Sequence, residues 1–148
     1  MSRAFTKETA ESAPPPERMV EDGPNPVTSE GLAQIDAHIT RLEAAMQTEA
    51  NVLLRETLAR DLRYWTVRKA NAELVTPTDG DTVAFGSTVT IRRGNREQTF
   101  RIVGVDEADA ANGRISFRSP LAQAVLGSRV GDIIEAEPPL GEILVRAT

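Results

Sequence analysis

Few side chains in this sequence have the type and spacing to do chemistry, and most of those are carboxylates. Asp106, Glu107 and Asp109 stand together in Asp106-Glu107-Ala108-Asp109, an acidic loop able to offer oxygen ligands to a cation or contacts to a basic partner. Glu43, Glu49 and Glu56 are the acids nearest the polar stretch Gln47-Thr48-Glu49-Ala50-Asn51. A helper site for Mg²⁺ needs several oxygens converging on one ion in near-octahedral geometry, and Glu49 alone supplies one. Ser119-Pro120 has two readings: a helix start, with serine as N-cap and proline at the first helical position, or a contact for a partner. There is no cysteine, which excludes disulfides, thiolate chemistry and Cys-based zinc sites. The single histidine, His38, has no companions that would build a triad and is expected to be solvated. No Gly-rich phosphate loop occurs, so no catalytic residue and no metal site is expected.

Formal net charge is −5, so wholesale wrapping of a nucleic-acid backbone is excluded, while a local basic patch is not. Arg55, Arg60, Arg63, Arg68 and Lys69 form a basic run broken by Glu56 and Asp61. Pairing at i,i+4 on a solvated face accounts for that run, and an acidic wall or nucleic acid is the sharper alternative. No apolar run approaches the ~20 residues of a bilayer span, and the N-terminus has no secretory apolar core. A soluble, cytoplasmic protein with no membrane contact and no small-molecule substrate is the expectation.

These groups must be positioned by elements that the hydrophobic pattern predicts. Residues 1–27, with Pro14-Pro15-Pro16, Pro24 and Pro26, bury too little apolar surface to order and are expected to form a disordered tail. Residues 28–76 read as a helical hairpin. Thr28 caps the first helix, and Leu32, Ile35, Ile39, Leu42 and Met46 follow at coiled-coil spacing. Leu54, Leu58, Leu62 and Trp65, continuing to Ala72, make the second seam. Two antiparallel helices cover both seams; one continuous helix zipped to a partner chain is the alternative. Trp65 is expected to fill the base of the hairpin or an interdomain contact.

Pro77 ends the second helix, and residues 77–82 form a turn-rich linker. Residues 83–148 then switch to strand periodicity. Strands are expected over 83–91 (with a bulge at Gly86), 97–105, 114–117, 133–137 and 142–146. Arg93-Gly94-Asn95-Arg96 is a hairpin turn, and a short helix starts at Ser119 and stops at Gly127. The fold class is α+β: a helical hairpin followed by a small antiparallel sheet with one short helix.

At these residues the chain resembles the Gre transcription elongation factors of the GreA/GreB type. The similarity is carried by Phe85-Gly86-Ser87-Thr88-Val89, Phe100-Arg101-Ile102-Val103-Gly104, the Asp106–Asp109 loop and Ile115-Ser116 with Ser119-Pro120-Leu121-Ala122. Val130-Gly131-Asp132 and the helix start Val27-Thr28 with Glu30-Gly31-Leu32 add to it. The resemblance implies an antiparallel coiled coil joined to an FKBP-like C-terminal domain. It implies binding to RNA polymerase through the secondary channel, regulation of elongation, and indirect contact with the nascent RNA or DNA of the elongation complex. The polymerase-binding residues it suggests are Asp106, Glu107, Asp109, Ser119 and Pro120, with Glu49 at the hairpin tip.

In cleavage-competent members of the family an acidic tip helps hold a catalytic Mg²⁺, shared with the polymerase. Nothing between Ala44 and Arg60 matches that tip, and the arm reads as short. The expected role is therefore that of an accessory factor rather than an enzyme, any RNA hydrolysis belonging to the polymerase, and cleavage stimulation stays open. The alternative is a short-armed, Rnk-like regulator that binds polymerase or another protein without stimulating cleavage. A prolyl isomerase needs an aromatic-lined pocket, and Phe85, Phe100 and Phe117 are expected in the core instead.

Overall fold

The computed structural model describes residues 13, 15–77, 80–134 and 141–147. The tail expected over 1–27 thus lies partly outside the described residues, as do the end of the strand expected over 133–137 and the Pro138-Pro139 break. The chain divides into two compact units: Ala33–Asn71 together with the segment up to Pro24, and Asn25–Leu32 together with residues from Ala72 onward.

The helical unit is built from α1 (Ser29–Thr48) and α2 (Val52–Ala70). They are separate helices, not one rod. The break needs neither Gly nor Pro, because two side chains organise it. Glu49 Oε1 accepts the Asn51 N–H at 3.0 Å, and Asn51, in extended conformation, caps α2 by accepting the Leu54 N–H at 3.1 Å. The helices run antiparallel: Lys69 Nζ meets Asp36 Oδ1 at 2.7 Å, and His38 stacks on Trp65 with ring centroids 4.1 Å apart. Stacking moves His38 out of its expected solvated position, since a flat ring pair buries more apolar surface than two separate side chains. Of the seams, Ile35, Leu42 and Trp65 are buried. Leu54 is not. At 52 % exposed it lies on the surface, because the turn ends the interhelical contact before α2's first residues.

The proline-rich segment is ordered where it meets α2. Arg18 lies 3.7 Å over the Tyr64 ring and 3.5 Å from Asp61, while Glu17 pairs with Arg63. Exposed ion pairs contribute little, but a cation over an aromatic face adds about 0.5–1 kcal/mol. The boundary of the expected tail is corrected further on: Asn25–Val27 is a strand, β1, paired in parallel with β2 (Ala72–Leu74). Local propensity favours continuing α2 to Pro77, but this ladder supplies backbone partners that a longer helix would forfeit. Asn71 therefore closes α2, and the Val75 N–H donates to the Val27 carbonyl at 2.9 Å.

The sheet unit contains β3 (Thr88–Arg93), β4 (Arg96–Val103), β5 (Arg114–Ser116), α3 (Pro120–Val125), β6 (Ile133–Ile134) and β7 (Gly141–Ala147). Its strand order is β5-β4-β3-β7-β6. The sheet is mixed rather than wholly antiparallel, for β4 and β5 run parallel. The residues between them fold as two 3-10 turns, Val105–Glu107 and Ala110–Asn112, and carry the chain back to the start of β4's neighbour. The bulge expected at Gly86 falls between Thr90 and Ile91, where β3 faces β7. Gly86 instead takes a left-handed turn, φ 87°, before β3 begins.

Alternation places Val89 and Ile91 of β3 beside Phe100 and Ile102 of β4 in one core with Val83, Ala122, Val125 and Ile134. Phe117 packs against that core and meets Phe85 edge-on at 5.7 Å. Each large side chain so buried stabilises the fold by about 1.5–3 kcal/mol.

Candidate functional site: the acidic turn and the helical tip

Parallel pairing fixes where the acidic turn lies. Val103 is in register with Ser116, so β4 and β5 end together and their following loops emerge side by side. The Phe117 N–H donates to the Val103 carbonyl at 2.9 Å and ties those loops at their root. Asp106, half-buried, leaves from the end of β4, and Ser119-Pro120 leaves from the end of β5. Asp109 is at the opposite end of the short strand β5. It exchanges backbone bonds with Arg114 at 2.8 and 3.0 Å, and its carboxylate accepts from Asn112 Nδ2 at 2.6 Å. Asp106 and Ser119 thus follow strands that end in register, whereas Asp109 pairs with Arg114 at the other end of β5.

Ser119 caps α3, its Oγ accepting the Ala122 N–H at 3.2 Å, and Gln123 Nε2 donates to the Phe117 carbonyl at 2.7 Å. Pro120, at the first helical position, is exposed.

Glu107 faces inward. It is 7 % exposed, and its carboxylate accepts the Thr28 N–H at 3.1 Å and the Gly104 N–H at 3.0 Å, as well as the Thr28 hydroxyl. Thr28 Oγ1 in turn accepts the Gly31 N–H at 3.1 Å and so caps α1. A buried carboxylate taking charge-assisted bonds from three donors is a latch: it fastens the first turn of α1 to the turn after β4. The space is tight. A Cβ on Gly31 would lie 2.2 Å from Glu107 Cδ, and one on Gly104 would lie 2.6 Å from the Pro26 carbonyl oxygen. Both glycines are required by close approach.

Beside the latch, Arg101 Nη2 lies 3.4 Å from Glu30 Oε2. The Glu30 carboxyl is held below its usual range by its own backbone N–H at the helix start, then by the Arg101 charge and the Thr28 hydroxyl. Sequence reasoning missed this pairing of Thr28 with Glu107. Both residues stand in motifs singled out above, but 79 positions separate them and no local period reports such a contact.

The helical tip is a different surface. The Glu49 carboxylate holds the turn through Asn51. Beyond it Val52, Leu53 and Leu54 are 71, 37 and 52 % exposed. Val52, Leu53 and Leu54 offer no oxygen to a hard cation, and Glu49 and Asn51 each spend a side-chain oxygen on a backbone N–H of the turn. The residues present do not fit a Mg²⁺ helper site. Among the described residues no group of three or more His, Asp or Glu side chains converges as a metal site, and no helix is long and apolar enough to cross a membrane.

An antiparallel helical pair followed by a small mixed sheet with one capped helix defines an α+β class of two-unit factor. The sequence profile described as "Transcription elongation factor, GreA/GreB, C-term" matches residues 77–147. The transcription elongation factor GreA of Chelativorans sp. is 49 % identical over 76 residues, 49 % of this chain and 48 % of that protein. That stretch spans about half the length of the relative. GreA of Rhodospirillum rubrum aligns more fully, 30 % identical over 148 positions, covering 83 % of this chain and 94 % of the other. A solved GreA/GreB elongation factor from Nitrosomonas europaea is 24 % identical, covers 86 % of this chain and 100 % of its own, and superposes with a TM-score of 0.41. This chain belongs to the GreA/GreB family of transcription elongation factors.

Proposed function

We propose that the chain is an accessory factor that binds RNA polymerase, docks through its FKBP-like sheet unit and inserts the helical hairpin into the secondary channel. It regulates elongation there without stimulating transcript cleavage. The observation that carries the second half is the tip, where Val52, Leu53 and Leu54 stand exposed and Glu49 is engaged in the turn. An aliphatic tip can occupy a channel and exclude water, but it cannot help hold a hard cation. The dock comprises Asp106, Ser119 and Pro120, with Glu107 acting from behind as the latch and Asp109, at the other end of β5, left out of it. Any RNA hydrolysis is done by the polymerase, in the cytoplasm where the polymerase works.

Pull-down with RNA polymerase tests the dock. Asp106→Arg and Pro120→Glu, which leave the Ser119 cap in place, are expected to weaken binding by about tenfold or more. Wild-type binding in both variants would move the dock elsewhere. Backtracked elongation complexes test the tip: RNA shortening faster than the intrinsic rate on adding the protein would refute the non-cleaving role.

A further inference from the structure

Asp61, Tyr64 and Trp65 stand at i, i+3 and i+4 on α2, so one face of that helix carries a carboxylate beside two aromatic rings. The rings meet edge to face, with centroids 5.0 Å apart and planes at 82°, and so make a corner rather than a flat stack. His38 stacks on Trp65, and Arg60 holds the Asp61 carboxylate at 2.8 Å, so the hairpin itself sets both sides of the corner. A guanidinium fits such a corner better than an ammonium does: its plane lies over a ring while its N–H groups reach a carboxylate. The chain already supplies one. Arg18 is centred 3.7 Å over the Tyr64 ring, 5.6 Å from the Trp65 ring and 3.5 Å from Asp61.

What fastens the segment around Arg18 differs in kind from what fastens the hairpin. Residues 15–20 form neither helix nor strand, and Met19, the largest apolar side chain among them, is 93 % exposed. Arg18 and Glu17 grip α2, the second by pairing with Arg63, and these are exposed charges. Salt and competing charges weaken such contacts, whereas the buried side chains of Ile35, Leu42 and Trp65 on α1 and α2 do not depend on them. Pro15-Pro16 leads into the segment with φ already fixed, which lowers the entropy lost each time it settles on the helix. The segment can therefore leave and return while the hairpin stays folded.

We propose that Asp61, Tyr64 and Trp65 form an arginine-receiving site that the chain fills with its own Arg18, making residues 15–20 a releasable strap, and that an arginine on a segment of a partner protein can take the place of Arg18. The tether presents Arg18 at an effective concentration on the order of 10 mM, so the site is closed to a single stray guanidinium. A partner segment must bring contacts beyond its arginine to displace the strap, and the strap thereby rejects weak binders. The site needs neither the acidic turn nor the exposed residues of the tip.

Trp65 is the sole tryptophan and reads the site directly in the full chain. The probe is a synthetic peptide of residues 15–21, added in trans. With the Arg18→Ala chain it should shift Trp65 emission and half-saturate near about 1 mM; wild type, whose own Arg18 competes, should need about tenfold more. The same peptide carrying Arg18→Lys should bind about fivefold more weakly. Trypsin gives a second readout, since cleavage after Arg18 requires its guanidinium to leave the Tyr64 ring. Asp61→Asn should speed that cleavage about fivefold, with the thermal midpoint unchanged. The site is overturned by equal peptide binding to wild type and Arg18→Ala, by no emission shift up to about 10 mM peptide, or by a lysine peptide as tight as the arginine one. Cleavage after Arg18 as fast in wild type as in Asp61→Asn overturns it as well.

Discussion

Replacing Gly31 with alanine is a small change that should be costly here, and the cost should vanish when Glu107 is removed. In a free helix, alanine is favoured over glycine by up to about 1 kcal/mol. At Gly31 the added Cβ would fall 2.2 Å from Glu107 Cδ and 2.4 Å from Oε2, so the carboxylate must leave its place. It would then lose the Thr28 and Gly104 N–H groups and the Thr28 hydroxyl. Hydrogen bonds to a charged group contribute about 1.5–3 kcal/mol each, and partial rescue by water reduces the sum, so a net loss of about 3 kcal/mol is expected. Glu107→Ala alone should cost a similar amount by orphaning the same donors. In the Glu107→Ala background, however, the obstruction is gone, and Gly31→Ala should be neutral or stabilising by up to about 1 kcal/mol. The resulting coupling, about 3–4 kcal/mol, is at or just above the upper end for directly contacting residues. Urea unfolding followed by far-UV circular dichroism measures all four proteins, with Trp65 fluorescence reporting separately on the helical unit. If Gly31→Ala costs the same with and without Glu107, the latch is not what makes that position glycine.

Asn51→Ala removes the acceptor for the Leu54 N–H at the start of α2 and should cost about 1 kcal/mol. Faster amide exchange confined to residues 52–55 would locate the loss at the tip. Glu30, whose carboxyl sits below the ordinary 4.5, contributes stability that is complete above that pH and is lost as the pH falls through its lowered folded value. Wild type and Glu30→Gln should therefore differ in urea midpoint near neutrality and converge in acid; a gap that stays constant down to about pH 3 would remove Glu30 from the acid sensitivity.

Much of this architecture was legible because it obeys local rules. Thr28 and Ser119 cap the helices they were expected to cap, and the coiled-coil spacing of Ile35, Leu42 and Trp65 marks residues that are buried. The misreadings share one physical source: partners far apart in sequence. Asn25-Pro26-Val27 has the composition of a tail, yet becomes a strand because Ala72-Glu73-Leu74 offers it a ladder. The β4–β5 pair was expected to be antiparallel by adjacency, but two 3-10 turns return the chain for parallel pairing. Glu107 was grouped with Asp106 and Asp109 because all three are acids within four residues. Burial separates them, since one carboxylate turned inward can satisfy three donors that would otherwise be orphaned.

That separation means the acidic turn and the helical tip are held by different sets of bonds. The latch and the core that supports the acidic turn involve residues 25–32 and 83–134, whereas the tip is made by Glu49, Asn51 and the first turn of α2. Among the described residues the hydrogen bonds of the tip turn run back to Ala45 in α1, within Glu49-Ala50-Asn51, and into α2's first turn. Changing Val52, Leu53 or Leu54 therefore alters a surface that is already exposed and leaves the donors around Glu107 untouched. Surface substitutions of this kind usually shift stability by no more than about 0.5 kcal/mol. The tip is therefore free to change its chemistry while the latch and the core of the sheet unit stay folded.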